Sequence, residues 1–247
     1  MREFGLLGRS LQHSFSQAYF TQKFEHLGLA DHRYELFELP AITELPALLR
    51  AHPDLAGLNV TIPYKEAIWL YLHDVSPNAA RVGAVNVVEF QEGGRLRGHN
   101  TDIIGFRESL GRFYPPALGT GRALVLGTGG TSKAIAVVLQ ERGIPCWFVS
   151  RNPLNHGLTW QDLTPEIVAA HPLIINATPL GTYPNVHECP PLPYEALTPA
   201  HYLFDVVYNP SETEFLRRGR EAGAQTRNGF EMLTFQAEAS WKIWTGK

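Results

Sequence analysis

The chain has 247 residues, 44% hydrophobic and 18% charged, with a formal net charge of −3; this suits one large domain or two small ones and gives no electrostatic footing for nucleic acid or a polybasic membrane contact. Two cysteines, Cys146 and Cys189, cannot make a disulfide framework and fit a reducing compartment, and the ten histidines follow no metal-ligand spacing, so no metal is expected. The opening MREFGLLGRS lacks a signal-peptide apolar core and no segment nears the roughly 18 apolar residues of a membrane span, so the expectation is a cytoplasmic globular protein.

Short apolar runs alternate with longer helical patterns, which argues for an α/β protein built from βα units. Residues 3–8 read as a strand, followed by a polar loop with Ser14-Phe15-Ser16. With Ser16 as N-cap, the spacing Tyr19-Phe20-Phe24-Leu27 suits one face of a helix, which Gly28 stops. Further strands are expected at 33–39 and 55–60, with a helical segment between them. In NVTIPYKE, residues 59–66, Pro63 ends the strand because it has no N–H for the ladder, and Lys65 is expected to start the next helix. AVNVVEF and RLRGHN, joined by Gln91-Glu92-Gly93-Gly94, read as a hairpin. A helical stretch, IIGFRESLGRFY, then runs into PPALGTG, a Pro/Gly-rich break that marks a domain boundary.

After the break, GRALVLGTGGTSKAIAVVLQERGIPCWFVSR reads strand, glycine turn, helix, strand. Gly127 permits the tight turn, and Gly129 lets backbone approach a pyrophosphate held at the helix N-terminus, the reading favoured over a glycine-rich turn with no ligand. The third position of G-x-G-x-x-G is Ser132, still small enough for close packing. An NAD site usually carries an acid at the end of the second strand. Pro145 to Ser150 has none, and Arg151 follows at once; read alone it is also an ordinary exposed loop arginine, but with the missing acid it favours a 2′-phosphate and therefore NADP over NAD. Strands are expected at 173–178 and 202–207, and a last helix from Gly229 to about Trp244.

A nucleotide domain needs a partner that holds substrate, and residues 1–101 are available, with a site expected in the cleft between domains. Polar clusters fall there at Ser14/Ser16, Asn59/Thr61/Lys65 and Asn86, and Asn100-Thr101-Asp102 lies at the junction. Hydride exchange with a carbinol needs a proton to join or leave the oxygen, and a lysine beside an aspartate can move it. Lys65 with Asp102 is the candidate pair. Taken singly, Lys65 also reads as a solvated surface charge and Asp102 as the cap of the helix from Ile103.

In these segments the chain resembles the shikimate dehydrogenase family: S-F-S at 14–16, NVTIPYKE at 59–66, AVN at 84–86, NTDIIGF at 100–106 and GTGGTSKA at 127–134. The series continues with NATPLG at 176–181, DVVYNP at 205–210 and GFEMLTFQAE at 229–238, so it covers nearly the whole chain. The resemblance implies reversible NADP-dependent reduction of 3-dehydroshikimate to shikimate in the chorismate and aromatic amino-acid pathway. It implies two α/β domains: a substrate domain with a mixed sheet, 1–101 plus 229–247, and a Rossmann-like NADP-binding domain, 102–228. Lys65 would be the acid/base, with Asp102 on the same hydroxyl region. Ser14 and Ser16 would take the substrate carboxylate, and Asn59, Thr61, Asn86, Tyr208 and Gln236 the ring hydroxyls. Gly127, Thr128, Gly129, Gly130 and Thr131 would hold the pyrophosphate, Ser150 and Arg151 the adenosine phosphate, and Val206 and Gly229 the nicotinamide.

Departures from the family pattern are Asn152 where threonine is common, Thr182 where methionine often follows NATPLG, a short chain, and NPLNHG in place of a richer loop. The implied partner is a small molecule, with monomer or homodimer left open. Two rival readings are a quinate/shikimate dehydrogenase with broader substrate or NAD use, and a non-catalytic NADP sensor on the same scaffold.

Overall fold

A computed structural model describes residues 1–12, 14–115, 121–152 and 157–246. The chain forms two compact units, Met1–Thr101 with Ala237–Lys247, and Asp102–Gln236. Most of the expected break PPALGTG and of the loop NPLNHG lies outside the described residues.

The first unit contains β1 (Arg2–Gly8), α1 (Ser16–His26), β2 (His32–Glu38), α2 (Leu45–Ala51) and β3 (Leu55–Val60), then β4 (Asp74–Val75), α3 (Pro77–Val82), β5 (Val87–Phe90) and β6 (Leu96–His99). The sheet order is β2-β1-β3-β5-β6-β4. β1 pairs parallel with β2 and β3, whereas β5 runs antiparallel to both β3 and β6, so the sheet is mixed. β1 is buried along six of its seven residues, as expected for a strand covered on both faces. One apolar layer joins Leu7, Leu45, Leu58, Tyr64, Ile68 and Val88. The other joins Phe4, Phe20, Phe24, Tyr34 and Trp244.

Two local expectations need correction. Ser16 is the first residue of α1, not its N-cap; Phe15 takes that place, and Ser14 Oγ accepts from Ser16 N at 3.2 Å. Lys65 does not start a helix. It sits in a turn after β3, and a short 3-10 helix begins only at Ala67. Gly28 does stop α1, at φ 68°, a left-handed conformation in which a side chain is strained.

The second unit contains α4 (Asp102–Phe113), β7 (Ala123–Leu126), α5 (Gly130–Glu141), β8 (Cys146–Val149), α6 (Pro165–Ala169) and β9 (Leu173–Asn176), followed by β10 (Tyr202–Asp205), α7 (Glu214–Glu221), β11 (Gln225–Arg227) and the start of α8 (Phe230–Thr245). Its strands lie in the order β11-β10-β9-β7-β8 and pair parallel throughout. The chain leaves β7 toward β8 on one side and returns to β9 on the other. That reversal opens a crevice beyond the carboxyl ends of β7 and β9, where doubly wound sheets bind ligands. β7 and β9 are buried at every residue.

Helix α8 is shared between the two units. The sequence reading began the returning segment at 229, but the first unit resumes at Ala237. The reason is local: a Cβ on Gly105 of α4 would lie 2.5 Å from Met232 O and 3.1 Å from Gln236 Cβ, so the first turns of α8 pack against α4. Among the described residues no helix is long and apolar enough to cross a membrane.

Candidate active site

In the first unit the expected substrate residues collect at the ends of β3 and β5. Asn59, next to last in β3, is paired with Val87 across the antiparallel ladder and is 5% exposed. Its Oδ1 accepts from the Tyr34 hydroxyl at 2.7 Å, and its Nδ2 donates to Ser240 Oγ at 3.0 Å. Asn86, also buried, donates through Nδ2 to Thr101 Oγ1 at 3.0 Å, while its Oδ1 accepts from Thr101 N at 2.7 Å. Burying amides this deeply requires such partners, since an unpaired one costs about 1–3 kcal/mol.

The turn that carries Lys65 is held from both sides. Thr61 N bonds Leu7 O at 2.8 Å, and Tyr64 N bonds Thr61 O at 2.9 Å. Tyr64 is buried, and its hydroxyl donates to Leu39 O at 2.5 Å. Lys65 O accepts from Val85 N at 2.7 Å, which sets the lysine backbone beside the neighbour of Asn86. Lys65 and Thr61 are half-buried, as are Ser14 and Ser16. The first unit thus brings Asn59, Asn86 and the Lys65 turn to one end of its sheet.

In the second unit Asp102 is the first residue of α4 and is 5% exposed. Its Oδ2 accepts from Thr131 Oγ1 at 3.3 Å. Thr131 belongs to the glycine turn, so a carboxylate expected beside the reacting hydroxyl and a residue expected at the cofactor are in contact.

The glycine turn sits at the crevice between β7 and β9. Gly127 has φ 108°, and a Cβ there would lie 3.1 Å from Ala177 O. A Cβ on Gly129 would meet nothing within 4 Å, so the turn leaves open space where a phosphate has to approach. α5 begins at Gly130 with no side-chain cap and no acid in its first turn, and N–H groups presented in this way suit an anion. Thr128 is half-buried and Gly129 exposed. Together these features fit a dinucleotide pyrophosphate.

Past the end of β8, Ser150 Oγ donates to Asn152 O at 2.8 Å, and the exposed Arg151 makes no ion pair with a described residue. Val206 and Gly229 are brought side by side: a Cβ on Gly229 would collide with Val206 O, and Gly229 N bonds Val207 O at 3.0 Å. Tyr208 is half-buried just beyond them. Gln236 spends an amide donor within its own helix, on Leu233 O at 3.0 Å.

The sequence reading missed a second buried cluster, around Asp205 at the end of β10. This carboxylate accepts from Asn176 Nδ2 at 3.0 Å, Val207 N at 3.0 Å and Thr213 Oγ1 at 2.6 Å. Burial pushes its carboxyl up from 3.8 to about 7, against the pull of those three donors. The available signal was that LIIN and YLFD each end an apolar run on a polar residue. Among the described residues no group of three or more His, Cys, Asp and Glu is placed to hold a metal.

The profile of the shikimate dehydrogenase substrate binding domain matches residues 6–88. The shikimate dehydrogenase (NADP(+)) of Halothermothrix orenii is 35% identical over 263 residues, covering 98% of this chain and 90% of its own length. The solved shikimate 5-dehydrogenase of Thermus thermophilus, in complex with NADP(H) and shikimate, is 36% identical with a TM-score of 0.86, covering 100% of this chain and 94% of that one. A quinate dehydrogenase from Corynebacterium glutamicum, in complex with NAD, superposes with the same TM-score of 0.86 at 28% identity, covering 100% and 94%.

Proposed function

The chain belongs to the shikimate dehydrogenase family, and from that premise we propose that it reduces 3-dehydroshikimate to shikimate, reversibly, with NADPH. The cofactor, when bound, supplies a hydride to the ketone carbon. Lys65 gives a proton from its ammonium to the carbonyl oxygen as the ketone becomes an alcohol, and the resulting amine is reprotonated from solvent. In the oxidative direction the neutral amine takes the hydroxyl proton. Asp102 accepts a hydrogen bond from the same hydroxyl region.

Ser14 and Ser16 hold the substrate carboxylate, while Asn59, Thr61, Asn86, Tyr208 and Gln236 serve the ring hydroxyls. Gly127 to Thr131 hold the pyrophosphate, Ser150 and Arg151 the 2′-phosphate, and Val206 and Gly229 flank the nicotinamide. The observation that carries this reading is the 3.3 Å bond from Thr131 to Asp102, which ties the cofactor turn to the carboxylate of the proton relay.

The test crosses shikimate and quinate with NADP and NAD, following nicotinamide absorbance. Turnover confined to shikimate with NADP is the expected outcome. Comparable rates on quinate with NAD would move the protein to the broader-substrate reading, and no turnover on any pair to a nucleotide sensor.

A further inference from the structure

The two amides at the substrate end of the first unit are not oriented independently. Asn59 Nδ2 donates to Ser240 Oγ at 3.0 Å, and Ser240 Oγ lies 3.3 Å from Thr101 Oγ1, which accepts from Asn86 Nδ2 at 3.0 Å. A single hydroxyl on α8, fully buried, therefore joins the partners of both amides. At the other end of Asn59, Oδ1 is fixed by the Tyr34 hydroxyl at 2.7 Å. Tyr34 is 3% exposed and stacked on Phe20 at 4.5 Å between ring centroids. Burial holds the Tyr34 phenol well above its ordinary value of 10.0, so it stays a donor at every working pH.

A primary amide has nearly the same shape when turned end for end, and only hydrogen bonds tell its oxygen from its nitrogen. Asn86 O, which can only accept, faces Asn59 Nδ2 at 3.5 Å, and Thr101 N, which can only donate, faces Asn86 Oδ1 at 2.7 Å, so the backbone sets which end of each amide is which. The hydroxyls of Tyr34 and Ser240, which can each donate or accept, follow that choice and hold the two ends of Asn59 in place. Ser240 reaches Asn86 through Thr101, whose hydroxyl lies 3.0 Å from Asn86 Nδ2 and 3.3 Å from its Oδ1.

Resting on the function proposed above, we infer that Tyr34 and Ser240 are positioning residues that hold Asn59, and through Thr101 also Asn86, where these amides meet the ring hydroxyls of the substrate. They act through the amides and set recognition of a polyhydroxylated ring, leaving hydride and proton transfer to other groups.

Steady-state kinetics on Ser240→Ala, Tyr34→Phe and the double variant test this. Each single variant is expected to raise KM for shikimate about 3- to 10-fold, the range of one hydrogen bond's net worth. The values of kcat and of KM for NADP stay within about twofold, because contacts away from the reacting carbon bind ground and transition states alike. In the double variant the rise falls short of the product of the single rises, since both act on one amide.

Singles with wild-type KM for shikimate would overturn the inference, as would a rise shared equally by shikimate and NADP, which marks general loosening. Fully multiplicative effects would overturn the common route through Asn59. Should Ser240→Ala fail to fold, Tyr34→Phe keeps its ring stacked on Phe20 and carries the test. A wild-type protein inactive on shikimate sinks the functional reading and this inference together. An active one with unaffected variants sinks the inference alone.

Discussion

The polar clusters at the ends of the two sheets differ in charge. In the first, the polar cluster at the ends of β3 and β5 is neutral, made of the amides Asn59 and Asn86 and the hydroxyls of Tyr34, Thr101 and Ser240. The charge of Lys65 stands on a half-buried turn, and the buried carboxylate of Glu3 is paired elsewhere with Arg33. In the second, the buried cluster is built around a carboxylate, Asp205, with no exposure at all. A neutral network fixes geometry without a pH-dependent cost, whereas a buried acid makes stability depend on pH. The contrast fits the proposed role of Lys65 in proton transfer and a scaffold role for Asp205.

The largest effect should come from the charge in the first unit. Lys65→Ala is expected to lower kcat about 100- to 10,000-fold, the usual worth of a general acid/base, with the melting temperature and cofactor affinity nearly unchanged. Near wild-type turnover would take the lysine out of the mechanism and break the contrast at once.

Next is the charge in the second unit. Asp205 has its carboxyl raised from 3.8 to about 7, so between those values the folded state holds a proton that the unfolded chain has lost. Below about pH 4 both states are protonated. As pH rises toward 7 this group removes up to about 4 kcal/mol of stability, and above 7 the loss is constant. Urea unfolding at pH 4.5 and 7.5 should show that slope in the wild type and a flatter one in Asp205→Asn. Equal slopes would mean that the three donors outweigh burial.

A glycine pair sharpens the distinction between scaffold and binding within one turn. Gly127→Ala should destabilise by about 1–3 kcal/mol, because alanine at φ 108° is strained and its Cβ crowds Ala177 O. Gly129→Ala, which meets open space, should unfold within about 1 kcal/mol of wild type yet raise KM for NADP. Thermal melts beside cofactor titration separate the two; a parallel loss in both assays would remove the pyrophosphate from this turn. The smallest expected effect is that of Arg151→Gln, about a tenfold rise in KM for NADP with KM for NAD unchanged. A rise shared by both cofactors would detach this arginine from the 2′-phosphate.

Most of the sheet framework was legible in the sequence because it is written in apolar runs. The strands at 3–8, 55–60, 173–178 and 202–207, the hairpin around Gly93 and the strand–glycine turn–helix at Gly127 all appear where their patterns put them, shifted by a residue or two at the ends. β11 was not legible, since Gln-Thr-Arg at a sheet edge carries no apolar alternation. α7 was hidden by its charges; Thr213 caps it, and Glu214 pairs with Arg217 and Arg218 along its surface.

At the site, the residue types were visible but their partners were not. Asn59 reads in sequence as a group facing substrate, yet Tyr34 and Ser240, which hold it, come from β2 and α8. Hydrogen bonds that span 25 and 181 positions leave no local periodicity to read. Ser16 shows a similar limit at short range, because which of two serines serves a helix start depends on backbone angles rather than on composition.

The return of α8 to the first unit bears on the order in which a ribosome delivers the fold. Every residue of the second unit, Asp102 to Gln236, leaves the exit tunnel in one continuous stretch. The first unit emerges earlier but lacks Ser240 and Trp244, whose indole donates to Val88 O at 3.0 Å and fills the space over Gly57. Folding during synthesis usually runs from the N-terminal domain onward. Here the earlier-made unit cannot complete its Phe4, Phe20 and Trp244 layer until the second unit has been translated in full.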